Sequence, residues 1–211
     1  MLNALNSNDD RTITNCDPAT STCQTPISFS AVWGYGCWCN FGHELTTGSG
    51  KPVDDFDHVC KDLQMCLRCS KLDAKEDGGY CDPLTQSYTA TYNFQQDDAT
   101  MLADCQAQNA DSDCSAQVCS CELKFISNYI DLQWSNAVYT GANKHENGFD
   151  QEVTCPKVGI SGVNSKSCCG EYPSRTPYGG KLECCNESGH IFNPLVSECC
   201  GVSGTAAIGA C

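Results

Sequence analysis

The sequence is poor in positive charge and lacks a long apolar segment. Its 211 residues contain 12 Lys and Arg against 26 Asp and Glu, which gives a formal net charge of −14. A strongly acidic surface disfavours nucleic acid and anionic membranes and would attract cations or basic partners. No apolar run approaches the ~20 residues that are needed to span a bilayer. We therefore expect no membrane span, and a chain that is soluble or becomes insoluble only through assembly.

Two features of other protein classes are also missing. Met1 and Leu2 are followed at once by a polar run rather than by the apolar segment of a secretory signal, which predicts a mature or trimmed chain. The four His residues are scattered and no pair of CxxC motifs is present, so zinc is a poor explanation for the cysteines. The 20 Cys residues instead predict a disulfide scaffold. Because cytosolic thiols stay reduced, we predict an extracellular, secreted protein.

Charge and cysteines both divide the chain near residue 150. From Cys155 onward there are four basic and four acidic residues, so the whole net charge of −14 lies in residues 1–154. Twelve Cys precede this point and eight follow from it, and two even counts permit two separately crosslinked modules. Residues 136–154, between them, are rich in Asn, Gly and charged side chains, which predicts a connecting loop. We place the boundary near residues 140–154.

Hydrophobic periodicity predicts two long helices before this boundary. Apolar residues recur at helical spacing between Asp54 and Cys69, behind acidic residues in the first turn. A second run, between Ser112 and Ile130, places apolar residues and Cys on one face. Residues 77–94 alternate Ser, Thr and Tyr like a short exposed hairpin. We therefore expect an α-rich, disulfide-stabilised core of two helices with a small β element.

The residues around these helices resemble those of a secreted phospholipase A2. The resemblance covers roughly residues 27–130 and lies in "WGYGCWC", a Gly-rich loop that ends at Pro52, Asp54, Asp57, Cys60 and Cys66, and the later "CSAQVCSCE". In that family, loop carbonyls hold calcium and a helix presents a His that activates water. The Asp that follows the His completes the calcium shell, and a second Asp on the facing helix orients the His. The resemblance thus implies a hydrolytic site between two long antiparallel helices.

The positions that the resemblance assigns to catalysis hold other residues. The fixed spacing from Cys60 to Cys66 places the His at Leu63 and the calcium-binding Asp at Gln64. Leucine has no proton to exchange, so the general base is absent. Glu122 takes the place of the supporting Asp and would have no His to orient. We therefore expect these three positions to be degenerate and the protein not to be an enzyme.

Two nearby residues are poor substitutes for the missing base. His58 lies five positions before Leu63, about 140° around the helix, and Asp62 points about 100° away from it. The simpler interpretation of Leu63 is a core residue on the apolar stripe.

The calcium site is weakened in the same way. The resemblance assigns the carbonyl ligands of calcium to Trp38, Asn40 and Gly42. Gln64 offers a neutral amide where hard divalent cations depend on a carboxylate. The interval from Cys39 to Pro52 is also longer than the usual family loop, so its carbonyls need not converge. We expect no cofactor, with weak calcium binding as the alternative.

The resemblance also implies several disulfides, namely Cys39–Cys60, Cys66–Cys121 and Cys105–Cys119. Cys114 is left with either Cys69 or Cys81. Cys37 conventionally pairs with a Cys near the family's C-terminus, for which Cys155 is the nearest candidate. That pair conflicts with the division into 12 and 8 Cys, and the sequence leaves the choice open. Further upstream, Cys16 and Cys23 flank a turn-forming segment that is able to close on itself.

The chain after Cys155 contains adjacent Cys pairs that recur at intervals of 16 and 15 residues, at 168–169, 184–185 and 199–200. Adjacent residues of a strand point to opposite faces, so each pair is able to crosslink two different neighbours. The pattern resembles the Cys-pair modules of galaxin-like extracellular matrix proteins, although a staple domain without a partner explains it equally well. Asn186 begins an N-x-S sequon and is predicted to be a glycosylation site in a surface loop.

Together these observations divide the chain into an N-terminal extension (1–26), an inactive phospholipase A2-like domain (27–140), a linker (141–154) and a Cys-rich C-terminal module (155–211). We weigh three functions: a secreted structural or interaction protein that self-assembles in an extracellular matrix or filament; a binding module or toxin-like ligand for a receptor or lipid surface; and a calcium-dependent phospholipase A2-like hydrolase. The lost catalytic pair disfavours the hydrolase, and the acidic surface disfavours anionic lipid as a target. We favour the first function, with the chain itself or other extracellular proteins as partners.

Overall fold

A computed structural model describes residues 32–40, 48–89, 97–134, 140–145, 147–156, 165 and 167–211. Four helices are present in these residues: α1 (Asp55–Glu76), α2 (Asp98–Gln108), α3 (Asp113–Trp134) and α4 (Gln151–Thr154). Six strands follow: β1 (Ser167–Cys169), β2 (Thr176–Tyr178), β3 (Glu183–Cys185), β4 (His190–Phe192), β5 (Ser197–Cys199) and β6 (Thr205–Ala207). This order confirms the expectation of a helical, disulfide-rich region followed by a small disulfide-rich module of strands and loops.

Helix α1 begins where the sequence predicts and ends later. The Asp54 side chain caps its first turn by accepting a hydrogen bond from the Asp57 amide at 3.1 Å. The apolar periodicity weakens after Cys69, but the residues up to Glu76 are mostly good helix formers. Gly78, at a φ of +74°, then turns the chain away from the helix axis.

Helices α1 and α3 form the main packing interface. Phe56 contacts Tyr129 with ring centroids 5.6 Å apart, and Cys66 is bonded to Cys121 with 5.7 Å between the Cα atoms. The two contacts occur in opposite order along the two helices, which therefore run in opposite directions. Leu67 of α1 and Val118 of α3 are fully buried, so apolar side chains and disulfides fill the interface together.

Two elements differ from the sequence prediction. Helix α2 is not predicted, because only Met101 and Cys105 of its residues are buried and its apolar pattern is sparse. The hairpin expected over residues 77–94 is wrong in its described part, since residues 77–89 contain turns and no strand. The Asp82 carbonyl accepts hydrogen bonds from the amides of the third and fourth residues after it, which folds this segment into a turn. Residues 90–96 lie outside the described part of the chain.

Nine disulfides join the described residues, in which no Cys is free. The pairs are Cys37–Cys155, Cys39–Cys60, Cys66–Cys121, Cys69–Cys168, Cys81–Cys114, Cys105–Cys119, Cys169–Cys184, Cys185–Cys199 and Cys200–Cys211. They include the three pairs that the resemblance implies. The partner of Cys114, left open between Cys69 and Cys81, is Cys81. Cys16 and Cys23 lie outside the described residues.

Two of these bridges correct the idea of separately crosslinked modules. Cys37–Cys155 and Cys69–Cys168 both connect the helical region to the chain after residue 154. Two even counts of Cys are equally compatible with an even number of bridges between the modules. The count alone therefore could not distinguish the two arrangements.

The segment predicted as a connecting loop is docked on the helical region. Asn143 is buried, forms a bridge with Tyr35 and donates a hydrogen bond to the Trp33 carbonyl at 3.2 Å. Gln151, in α4, donates to the Gly36 carbonyl at 2.6 Å. Backbone groups before α1 thus find their partners in residues 140–156, and the Cys37–Cys155 bridge closes the same contact.

The strands form three antiparallel hairpins, β1–β2, β3–β4 and β5–β6, each a separate two-stranded sheet. Both strands of the first hairpin contact α1. An ion pair supports that contact, because the Arg175 Nε donates to the Asp73 Oδ2 at 2.7 Å and the Tyr172 hydroxyl donates to the same oxygen at 2.7 Å. With the Cys69–Cys168 bridge, these bonds attach the first hairpin to the last turns of α1.

Candidate functional site

A buried carboxylate fixes the loop before α1. Asp57 accepts hydrogen bonds from the amides of Cys37, Trp38 and Val53 at 2.8, 2.7 and 2.9 Å. Gly36, at a φ of +55°, lies against this carboxyl group, and a Cβ there would clash with it. Burial raises the pKa of Asp57, although the three amides act in the opposite direction. The loop backbone is therefore held in one position relative to the helix.

Leu63 lies inside the core. Its side chain is buried in the same apolar cluster as Trp38 and Phe56. The resemblance places a His at this position, where it would require a neighbouring group to orient its ring. Leucine instead adds hydrocarbon to the interface between the loop and α1, and it offers no atom for proton transfer.

Gln64 is hydrogen-bonded to the loop. Its Nε2 donates to the Trp38 carbonyl, which is one of the carbonyls that the resemblance assigns to calcium. The Gln64 side chain is fully buried, and its Oε1 has no hydrogen-bond partner among the described residues. The opposite amide orientation would place two oxygens together, because a carbonyl oxygen only accepts. The amide thus satisfies the Trp38 carbonyl from the side of α1.

Little space remains around this amide. A Cβ on Gly48 would overlap the Trp38 ring and lie 2.8 Å from the Gln64 Oε1, so the loop backbone packs directly on both side chains. The Lys61 ammonium lies 5.5 Å from the centroid of the Trp38 ring and covers it. Asn40 is partly buried, and Gly42 lies outside the described residues.

Glu122 has a partner that the sequence did not predict. This carboxylate on α3 is buried and accepts a hydrogen bond from the hydroxyl of Tyr88. The two residues are 34 positions apart in the chain. Tyr88 is partly buried and belongs to the stretch interpreted as an exposed hairpin, where the alternation of Ser, Thr and Tyr gave no sign of this contact. Glu122 therefore orients a tyrosine.

The two rejected substitutes for a base lie at the surface. The His58 Nδ1 is 3.3 Å from the Asp62 Oδ2, and both side chains are more than half exposed, at 58% and 56%. They form an i,i+4 pair on the solvent side of α1, as the helical angles predicted. Neither shares the buried face of Leu63.

Other candidate ligands and modification sites lie in the C-terminal module. Among the described residues, the one cluster of three potential metal ligands contains Cys185, Glu187 and Cys199. The two Cys are bonded to each other, so they offer no thiolate to a metal. Asn186 is exposed in the turn between β3 and β4, and its glycosylation stays a prediction.

No helix in the described part of the chain combines the length and the apolar character that a bilayer crossing requires.

Comparisons with known proteins find similarity to phospholipases A2 over part of the chain. The chain is 33% identical over 88 residues to acidic phospholipase A2 PL-I of Walterinnesia aegyptia, covering 42% of this chain and 51% of that protein. It is 32% identical over 93 residues to a phospholipase A2 of Oryctolagus cuniculus, with 43% and 54% covered. For a phospholipase A2 of Ovis aries the values are 29% over 104 residues, with 48% and 72% covered. No family model matches the chain.

The chain spans about half the length of the first two of these relatives. The similarity supports a phospholipase A2-like domain over somewhat less than half of the chain. Together with the many disulfides, it is consistent with an extracellular protein.

Replacing Asp57 with Asn should loosen the loop. Asparagine offers one acceptor oxygen to three amides, and its own NH₂ would face a donor. We expect Asp57→Asn to lower the free energy of unfolding by about 2–3 kcal/mol, measured by denaturant titration. The matched control is Asp55→Asn, which removes a charge from the same helix turn at an exposed position. Equal losses in the two variants would contradict this role of Asp57.

Proposed function

We propose that this protein is a secreted, non-enzymatic structural or interaction protein built on a degenerate phospholipase A2 scaffold, which self-assembles in an extracellular matrix or filament. The observation that carries the proposal is the hydrogen bond from the Gln64 Nε2 to the Trp38 carbonyl. A side-chain amide takes the carbonyl that a calcium ion would need, and the residue before it is leucine. Both requirements of the hydrolytic mechanism are lost at adjacent positions.

A general base is missing from the described part of the site. Hydrolysis needs a group within hydrogen-bond reach of the attacking water, and histidine is the usual one. The three His residues of the described chain, His58, His145 and His190, are all exposed. Glu122 is buried, and its carboxylate already accepts a hydrogen bond from the Tyr88 hydroxyl inside the protein.

We expect this site to have little affinity for calcium. Affinity for calcium depends on the number and charge of oxygen ligands, and carboxylates provide most of it. Gln64 brings no charge, and a calcium ion would have to displace its NH₂ group from the Trp38 carbonyl. Weak calcium binding by the acidic surface is a separate property and needs no loop carbonyl.

The scaffold itself is well preserved. Cys39–Cys60 anchors the loop, Cys66–Cys121 joins the two long helices, and Asp57 still holds the loop amides. Because a fold persists without its site, the crosslinked core suits a protein whose role is to present surfaces. The hydrolase alternative is favoured by the names of the relatives, all three phospholipases A2, and disfavoured by Leu63 and Gln64.

The C-terminal module supports the assembly part of the proposal. It carries no net charge, whereas the rest of the chain carries −14. Its Cys pairs, which resemble those of galaxin-like matrix proteins, attach three hairpins in series to α1. The neutral C-terminal module and the acidic residues 1–154 give each copy two unlike surfaces. Salt or divalent cations would screen the acidic charge and favour association.

A second candidate function is a binding module for a small ligand. A cleft of about 240 Å³ lies where α2 and α3 meet the first hairpin. Its walls combine Leu102, Leu123 and Pro173 with the polar groups of Asp98 and Ser127. The cleft is smaller than the ~300–1,000 Å³ of most ligand pockets, so we rank this function second.

The purified protein should release no fatty acid from phospholipid above background, with or without calcium. The reason is that Leu63 and Gln64 supply neither base nor metal ligand. Titration of fatty acid released from mixed micelles tests this, with the phospholipase A2 of Ovis aries assayed in parallel. Calcium-dependent release that co-purifies with the protein and is lost in Glu122→Ala would refute the proposal.

Restoring the two family residues should not restore turnover. In Leu63→His with Gln64→Asp, the new carboxylate faces a loop packed by Gly48 and Trp38, and the carbonyls must move before calcium binds. We expect less than about 1% of the activity of the sheep enzyme in the same assay, since small misplacements cost about a hundredfold each. Turnover near that of the enzyme would show that the loop is already arranged for calcium.

A further inference from the structure

The three hairpins form a stack that is covered at one end. The first hairpin rests on α1 through both strands, β1 contacts β3 of the second hairpin, and β4 contacts β5 of the third. Among the described elements, the first and second hairpins thus each lie between two neighbours, and the third, the β5–β6 hairpin, has one. Repeats that stack in one dimension bury their faces on each other, and the last one exposes a face.

Burial of equivalent residues follows this order. The last residue of β1, Cys169, is 1% exposed and the last residue of β3, Cys185, is 0% exposed. The equivalent residue of the third hairpin, the second Cys of its adjacent pair, is Cys200, which is partly buried. The position is buried in the two hairpins that a following hairpin covers and less buried in the one that has no such cover among the described residues.

The series of disulfides that join successive hairpins ends at the third hairpin. Cys169 bonds forward to Cys184 and Cys185 bonds forward to Cys199, each to the next hairpin. Cys200 instead bonds to Cys211 of its own unit. The third hairpin therefore has no disulfide to a fourth, and any group that covers its face must bind without a disulfide from Cys200.

The third hairpin and its flanks expose four aliphatic side chains. We call them the terminal patch: Leu195, Val196 and Ile208 at the open end of the hairpin and Val202 in its turn, which are between 60% and 85% exposed. Because Ser197 pairs with Ala207, Val196 and Ile208 lie next to each other at the open end of the hairpin. Four of the seven large exposed apolar residues in the described chain belong to this one hairpin or its flanks. Such a concentration marks an interaction site.

Charge and composition indicate what covers the patch. The module that carries it is neutral, while residues 1–154 hold the whole charge of −14. Two copies that meet through their third hairpins keep residues 1–154 of each copy apart, whereas a contact between the two acidic regions brings like charges together. The patch contains no Trp or Tyr, the residues that anchor proteins at a lipid interface, which favours a protein partner over a membrane.

We propose that the terminal patch is a self-association face, which docks on the same patch of a second copy about a two-fold axis. The proposal rests on the proposed function as an assembling protein and names the surface that starts the assembly. An isologous contact closes as a dimer. Four aliphatic side chains cover far less than the ~1,600 Å² of a standard interface, so the dimer depends on protein concentration and strengthens as salt screens the two acidic regions.

Sedimentation velocity of the full-length chain over a concentration series, at low and high NaCl, tests this. We expect a monomer–dimer equilibrium that shifts towards dimer at high salt. Val196→Asp and Ile208→Asp should each weaken dimerisation at least about tenfold, because a charge would be buried against its own copy. Val202→Ser, at the other end of the hairpin, provides a milder variant that avoids a new charge.

The matched control is Val153→Asp, an equally drastic change at an aliphatic residue that is 78% exposed on α4, outside the patch. It should leave the dimerisation constant within about twofold of the unmodified chain, as for a surface change remote from the contact. Circular dichroism and melting curves show whether each variant is folded.

A monomer at every concentration and salt level would overturn the self-association face, as would dimers that Val196→Asp, Ile208→Asp and Val202→Ser leave intact. Equal weakening by Val153→Asp would place the contact elsewhere. Flotation with phosphatidylcholine vesicles, abolished by Val196→Asp in a chain that stays monomeric, would identify the patch as a lipid surface. A chain that is monomeric throughout would also reject the assembling part of the proposed function, whereas dimers that the patch variants leave intact would reject the patch alone. Fatty acid release is measured separately and decides whether the protein is an enzyme.

Discussion

Three disulfides fix helix α1 to three different parts of the chain. Cys60 joins it to the preceding loop, Cys66 to α3, and Cys69 to the first hairpin. The three half-cystines lie within less than three helical turns, so one short segment determines where the loop, the facing helix and the C-terminal module lie. Closing long loops of chain in this way lowers the entropy of the unfolded state, by an amount worth about 2–4 kcal/mol for a typical bridge.

Under the proposed function, this constraint explains how the site changed while the scaffold stayed. The loop is held by the Cys39–Cys60 bridge and by the amides bound to Asp57, so it does not depend on a metal ion for its position. Gln64 then completes the hydrogen bonding of the Trp38 carbonyl from within the protein. Leu63 adds apolar contact where an ionisable ring would need a buried partner. Leu63 therefore suits a packed interior, whereas Gln64 satisfies the Trp38 carbonyl and leaves its own buried Oε1 without a hydrogen-bond partner among the described residues.

Much of this arrangement follows from the sequence, and the rest depends on three-dimensional contacts. Periodicity located α1 and α3, and the alternation of side chains along a strand indicated that adjacent Cys serve different neighbours, as Cys168 and Cys169 do. The even number of Cys residues in each module could not identify the partner of Cys37. Two bridges between the modules leave the same even counts. The Tyr88–Glu122 bond joins residues 34 positions apart in segments of unrelated pattern. Nor does any sequence pattern reveal that the Gln64 amide reaches a backbone carbonyl 26 residues away.

The central proposal is that the Gln64 amide, and no calcium ion, satisfies the Trp38 carbonyl. Nuclear magnetic resonance of the Gln64 side-chain NH₂ during a titration with calcium up to millimolar concentration tests it most directly, with magnesium as the matched control. The account predicts that the two amide proton signals keep their shifts and slow exchange, with the same small drift for both ions. A saturable shift of these signals with calcium alone, accompanied by faster exchange as the NH₂ leaves the carbonyl, would contradict it.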